Sequence, residues 1–181
     1  METTKIFNSG NSQAVRLPKK YRFKNNEAYI SKIGDAVVIF PKKSGWSSLF
    51  ESLDKFSEDI FEERNKPIKV LKKFKNIEPK NVCISSITAS ELWTGVHKST
   101  NFEKNAIALE EFLSPLTILG YDEKASKIYG KIRSVLEKKG KIIGSMDLLI
   151  SAHALSQELI LVTNNVKEFK RVNGLSIENW T

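Results

Sequence analysis

Two carboxylates stand where carboxylates are costly. Glu91 lies within Ile87-Thr88-Ala89-Ser90-Glu91-Leu92-Trp93, which reads as a helix, and Asp147 opens the apolar run Leu148–Leu155. An acid on an otherwise apolar helix is unfavourable unless it is paired, solvated or bound to a metal. Two or more such acids converging at strand ends would hold Mg²⁺ or Mn²⁺ and activate water for phosphodiester cleavage. Taken singly, each is more often an N-cap or a surface acid. His97 and His153 lack the Cys or third His that zinc would need, so both read as structural. No Gly-rich phosphate loop is present, which leaves nucleotide binding without support.

The elements that must position these acids follow from periodicity. Val82–Ile84 reads as a buried strand, with Ser86 or Thr88 capping a helix through His97. Glu103–Leu113 is a helix, Leu116–Leu119 a strand and Glu123–Lys138 a long basic-faced helix. Ser145-Met146-Asp147 starts another helix. Leu159–Thr163 and Leu175–Ile177 are strands, and Ile68–Phe74 suggests a short helix. Strands alternating with helices imply a parallel sheet with its ligands at the strands' carboxyl ends.

The first part of the chain differs. Thr4–Phe7 and Gln13–Leu17 flank the turn formers Asn8–Ser12, and Gly34-Asp35 joins Tyr29–Ile33 to Ala36–Phe40 as a hairpin. Four short strands in so few residues cannot bury a core alone, so this head is expected to dimerise. From Trp46 the period changes: Trp46, Leu49, Phe50, Leu53 and Phe56 have helical spacing, followed by Ile60 and Phe61. An aromatic stripe with nothing local to cover it is a docking element or part of a common core.

Charge divides the chain in the same places. Residues 1–46 carry nine bases and three acids, residues 47–65 two and six, and residues 66–181 eighteen and twelve. This suggests a polyanion-binding head, an acidic linker and a second basic body, or simply three solvated faces. The 181 residues are enough for a real core. The single cysteine, Cys83, excludes an internal disulfide and reads as a small buried apolar residue suited to a reducing cytosol. Neither a signal peptide nor an apolar run of about 20 residues is evident, so a cytoplasmic protein with no membrane span is expected.

The string Thr4-Lys5-Ile6-Phe7-Asn8-Ser9-Gly10-Asn11-Ser12-Gln13-Ala14-Val15-Arg16-Leu17-Pro18-Lys19 resembles VapB antitoxins of the swapped-hairpin, AbrB-like and MazE-like class. Trp46–Phe61 resembles the toxin-wrapping tail of those antitoxins. The resemblance implies a homodimeric β head that binds operator DNA and represses its own operon. Asn11, Ser12, Gln13 and Arg16 would face the DNA, with Lys5 and Lys19 supporting. Trp46, Leu49, Phe50, Leu53 and Phe56 would dock on a toxin.

The remainder is similar to a different family, the VapC toxins, which are PIN-domain ribonucleases. The matching stretches are Asn65-Lys66-Pro67, Cys83–Ser86, Gly144–Ile150 with Ala152–Ala154, Leu161–Asn165 through Glu168-Phe169, and Glu178-Asn179-Trp180. That family opens with a strand carrying a Leu-Asp-Thr-Asn motif whose Asp is a metal ligand, and nothing of the kind precedes Asn65 here. Of its acidic set, Glu91 and Asp147 remain, with Asn164 at the fourth position. An in-frame deletion joining adjacent genes is the simplest origin.

The expected fold is therefore an α+β two-part chain. It comprises an N-terminal swapped-hairpin dimer domain (1–45), a helical toxin-binding tail or linker (46–65) and an incomplete PIN-like α/β domain (66–181). The expected function is a VapB–VapC fusion with a DNA-binding head and a crippled nuclease. One alternative is an active Mg²⁺-dependent ribonuclease, with tRNA the implied RNA. The other is a decoy antitoxin that captures an intact VapC-type toxin.

Overall fold

A computed structural model describes residues 3–24, 26–33, 36–41, 46–60 and 68–181. Expectations placed on Gly34-Asp35, Phe61 and Asn65-Lys66-Pro67 lie outside these residues.

The head consists of two antiparallel hairpins. Strands β1 (Ile6–Ser9) and β2 (Ser12–Val15) pair with Ile6 opposite Val15 and Ser9 opposite Ser12. The turn is tighter than the run of turn formers suggested. Asn8, Ser9 and Ser12 belong to the ladder, and only Gly10-Asn11 forms the loop. Gly10 has φ +58°, the positive φ that a two-residue hairpin loop requires at its first central position. Strands β3 (Ala28–Ile33) and β4 (Ala36–Pro41) pair with Ile30 opposite Ile39. Ile6, Phe7, Val15, Ile30, Val37 and Ile39 are all exposed.

Next comes α1 (Ser47–Leu53), shorter than the apolar spacing predicts because the helix ends before Phe56. The body then runs α2 (Ile68–Lys75), β5 (Cys83–Ser85), α3 (Ser86–Lys98), α4 (Phe102–Leu113), β6 (Thr117–Leu119), α5 (Glu123–Lys138), α6 (Ser145–Ser156), β7 (Leu161–Val162), α7 (Val166–Phe169) and β8 (Ile177–Glu178). The expected single parallel sheet is divided. β5 pairs in parallel with β6, and β7 in parallel with β8, as separate two-stranded sheets.

Two apolar clusters form among the described residues from Trp46 onward. One joins Trp46, Leu49 and Phe56 to Val96 of α3 and to Ala108, Leu109 and Leu113 of α4. The other joins Ile132 and Leu136 of α5 to Leu148 and Ala152 of α6, with Ile143 and Val172. The aromatic stripe therefore has its cover within the same chain. Trp46 meets Phe74 edge-on at 4.5 Å between ring centroids, and Phe74 meets Trp180 at 5.4 Å. Beside them the fully buried Asn105 accepts from the Ser57 amide at 2.8 Å and donates to the Ser57 and Ser99 hydroxyls at 2.6 and 2.8 Å. Asp59 accepts from both the amide and the hydroxyl of Thr100 at 2.7 Å. The Ser57 hydroxyl first, and then those two bonds, hold its carboxyl well below the usual carboxylate range.

Candidate active site

Asp147 sits in the first turn of α6, where the free amides of a helix start favour negative charge. Its carboxyl is nevertheless pushed above the ordinary aspartate value, chiefly by burial and then by the negative charge of Glu168 on α7. Asn165 donates to Asp147 Oδ2 at 3.5 Å, the outer limit of a hydrogen bond. A Cβ added at Gly144 would stand 3.3 Å from the same oxygen, so the carboxylate is seated against the preceding backbone.

The residues expected at this site are not all brought together. Glu91, on α3, is exposed, and its side chain makes no hydrogen bond or ion pair among the described residues. Asn164 turns to the end of the chain, where its Oδ1 accepts from the Thr181 hydroxyl at 3.1 Å. The partner that sequence reasoning missed is Glu168, which pairs with Arg171 at 3.1 Å. Its only signal was its place in the stretch after Asn164-Asn165, one turn along a helix too short to show a period.

Helix α3 starts differently from expectation. Ser85, not Ser86 or Thr88, is the cap: its Oγ accepts from the Ile87 amide at 3.1 Å and lies 2.9 Å from His153 Nδ1. Ser86 instead accepts from the Tyr121 amide at 3.2 Å, which ties the start of α3 to the end of β6. His153 is buried, and its Nε2 has no hydrogen-bond partner among the described residues. Cys83 is half-buried rather than fully enclosed, with its thiol pushed up by burial.

Asp147 and Glu168 offer carboxylate oxygens of the kind that suits a hard divalent cation, while Asn165 turns its amide N–H toward Asp147. A cation there would also relieve the cost that burial and Glu168 impose on the ionised Asp147. The set is thin. No group of three or more His, Cys, Asp or Glu poised for a metal occurs among the described residues.

On the hairpin, period-two alternation puts Phe7, Ser9, Ser12 and Ala14 on one face and Ile6, Asn8, Gln13 and Val15 on the other. The Arg16 guanidinium lies 6.0 Å from the centre of the Phe7 ring. Ser12 and Arg16 therefore share a side that Gln13 does not. Asn11 sits at the loop tip, Lys5 offers its carbonyl to the Arg16 amide at 3.1 Å, and Lys19 begins a short 3₁₀ turn.

Comparison with known proteins identifies the body. The PIN-domain model matches residues 57–175. The chain belongs to the PIN-domain family. Ribonuclease VapC2 of Haemophilus influenzae is 46% identical over 121 residues, 67% of this chain and 91% of that protein. The tRNA(fMet)-specific endonuclease VapC of Shigella flexneri is 43% identical over 122 residues, 67% of this chain and 92% of that protein. Among solved structures, DNA-bound VapBC from Salmonella typhimurium is similar at 42% identity and TM-score 0.62, covering 65% of this chain and 89% of that one. VapBC2 from Rickettsia felis, bound to a DNA fragment from its promoter, is similar at 38% identity and TM-score 0.62, covering 76% of this chain and 96% of that one. The PIN-domain body is thus of the toxin–antitoxin VapC ribonuclease type. No described helix is long and apolar enough to cross a membrane.

Proposed function

We propose that this chain is a VapB–VapC fusion in which a DNA-binding head is tethered to a PIN body with a deficient catalytic centre. The observation that carries the reading is the burial of Trp46, Leu49 and Phe56 in one cluster with α3 and α4. A tail of antitoxin character is packed on a toxin-like body as a single chain. The basic hairpin residues Lys5, Arg16 and Lys19 stay clear of that cluster and are available to operator DNA. Two of the similar solved complexes were obtained with DNA, one of them a promoter fragment. A head of two hairpins with exposed Ile30 and Val37 fits a homodimer, since a lone hairpin is marginal in water.

For the body, Asp147 and Glu168 would hold Mg²⁺ or Mn²⁺. The bound ion would supply charge neutralisation and an activated water for RNA cleavage, with tRNA the substrate class suggested by the Shigella relative. Two carboxylates, one of them engaged by Arg171, hold and orient such an ion poorly. Glu91 is exposed on α3, and no group of three or more acids poised for a metal occurs among the described residues, so the centre is short of ligands. The decoy reading is the weaker one, because the aromatic face that would capture an intact toxin is already covered in cis.

A gel shift with the full chain and its own promoter tests the proposal. Binding that weakens steeply with salt is expected from Lys and Arg contacts to phosphate. No binding at low salt would overturn it.

A further inference from the structure

The divided sheet leaves a slot. β5 is paired with β6 and β7 with β8, and among the described residues no strand pairs with the other edge of β5 or of β7. Cys83, Ile84 and Ser85 of the first strand and Leu161 and Val162 of the second line one cavity of about 720 Å³. Both edges therefore open on the same space. Elsewhere its wall is mainly apolar, with Val70 and Phe74 of α2 and Ile150 of α6. His153, buried and with Nε2 lacking a partner among the described residues, also lines it. Free strand edges carry backbone donors and acceptors that seek another strand, and apolar walls accept its alternate side chains.

We propose that this slot is a strand-acceptor site, filled by one extended, aliphatic segment with basic flanks donated by a separate polypeptide. Charge selects the flanks. The charged side chains on the wall are Glu158 and Glu178, with no Lys or Arg among the described lining residues, in a chain of net charge +8. The source is another polypeptide because every described strand of this chain is already committed to a hairpin or a sheet, and the longest stretch outside the described residues, Phe61-Glu62-Glu63-Arg64-Asn65-Lys66-Pro67, is polar and ends in proline rather than being aliphatic. A second copy would have to break one of its own pairs to donate.

Cys83 reports occupancy directly, being the chain's one cysteine and part of the wall. The test measures its alkylation rate in the full chain with a peptide of about ten residues, alternating valine and threonine between terminal lysines. The comparison peptide has the same ends and proline at alternate positions, which removes the backbone N–H donors. At ten times its Kd the strand peptide should slow labelling about tenfold, because only the empty fraction reacts. The proline peptide should leave the rate unchanged. Equal protection by both peptides, or by neither, overturns the proposal. Protection that grows with protein concentration alone overturns it in favour of a second copy. Should the thiol resist labelling throughout, anisotropy of the fluorescent strand peptide decides instead. Saturable binding weakened by Glu178→Lys supports the proposal, and no binding overturns it.

Discussion

The indole N–H of Trp46 donates to the carbonyl of Ile77 at 2.7 Å, so the aromatic that opens the tail is fastened to the backbone just beyond α2. A buried indole satisfied in this way contributes both apolar area and a specific angle of docking. The bond and the Phe74 contact together seat the tail on the body.

Trp46→Ala should therefore destabilise the folded chain by about 3 kcal/mol, the usual scale for emptying a large buried aromatic site. Denaturant melts of the full chain check this. Trp46→Phe should recover most of the loss but not the hydrogen bond to Ile77.

Asn105 is the polar counterpart of that anchor. Asn105→Ala would strip the Ser57 amide and the Ser57 and Ser99 hydroxyls of their shared partner, at a cost of about 1–3 kcal/mol. Hydrogen exchange should show lost protection first at Ser57, ahead of global unfolding.

Asp147→Asn should stabilise the metal-free protein at neutral pH. A carboxyl whose pKa is raised on folding binds its proton more tightly in the folded state. Its contribution is present in acid and is lost as the pH rises through the folded value. The variant escapes that loss. Its melting temperature should match wild type in acid below the ordinary aspartate range and exceed it above. A variant less stable at pH 7 would contradict the assigned cause.

On the head, Arg16→Ala should weaken operator binding by about 1–3 kcal/mol if the guanidinium reads a base edge. Lys5→Ala and Lys19→Ala should instead weaken binding uniformly across sequences and flatten its salt dependence. Because Ser12 and Gln13 lie on opposite faces of the hairpin, their alanine variants should differ in effect.

Much of this was legible in the residues because long periods speak clearly. Glu123–Lys138 was read with the boundaries it has in the structure, and the start of α6 at Ser145 with Asp147 in its first turn was also legible. The division of the sheet was not. An apolar run such as Leu159–Thr163 looks the same whether or not a neighbour lies on each side, and only Leu161-Val162 pair as strand. Nor could spacing choose between Asn164 and Asn165, adjacent amides of which one reaches Thr181 and the other Asp147. Glu168 was hidden because four helical residues carry no period. The cap on α3 was missed by one residue, since Ser85 and Ser86 are equally good caps until Tyr121 claims the second.

The most direct test of the deficient-nuclease account is cleavage of tRNA by the full, folded chain in Mg²⁺ and in Mn²⁺, with Asp147→Ala as the matched control. No cleavage above that of the control is expected in either metal. Robust cleavage by the wild-type chain that disappears in Asp147→Ala would contradict it and establish the chain as an active ribonuclease.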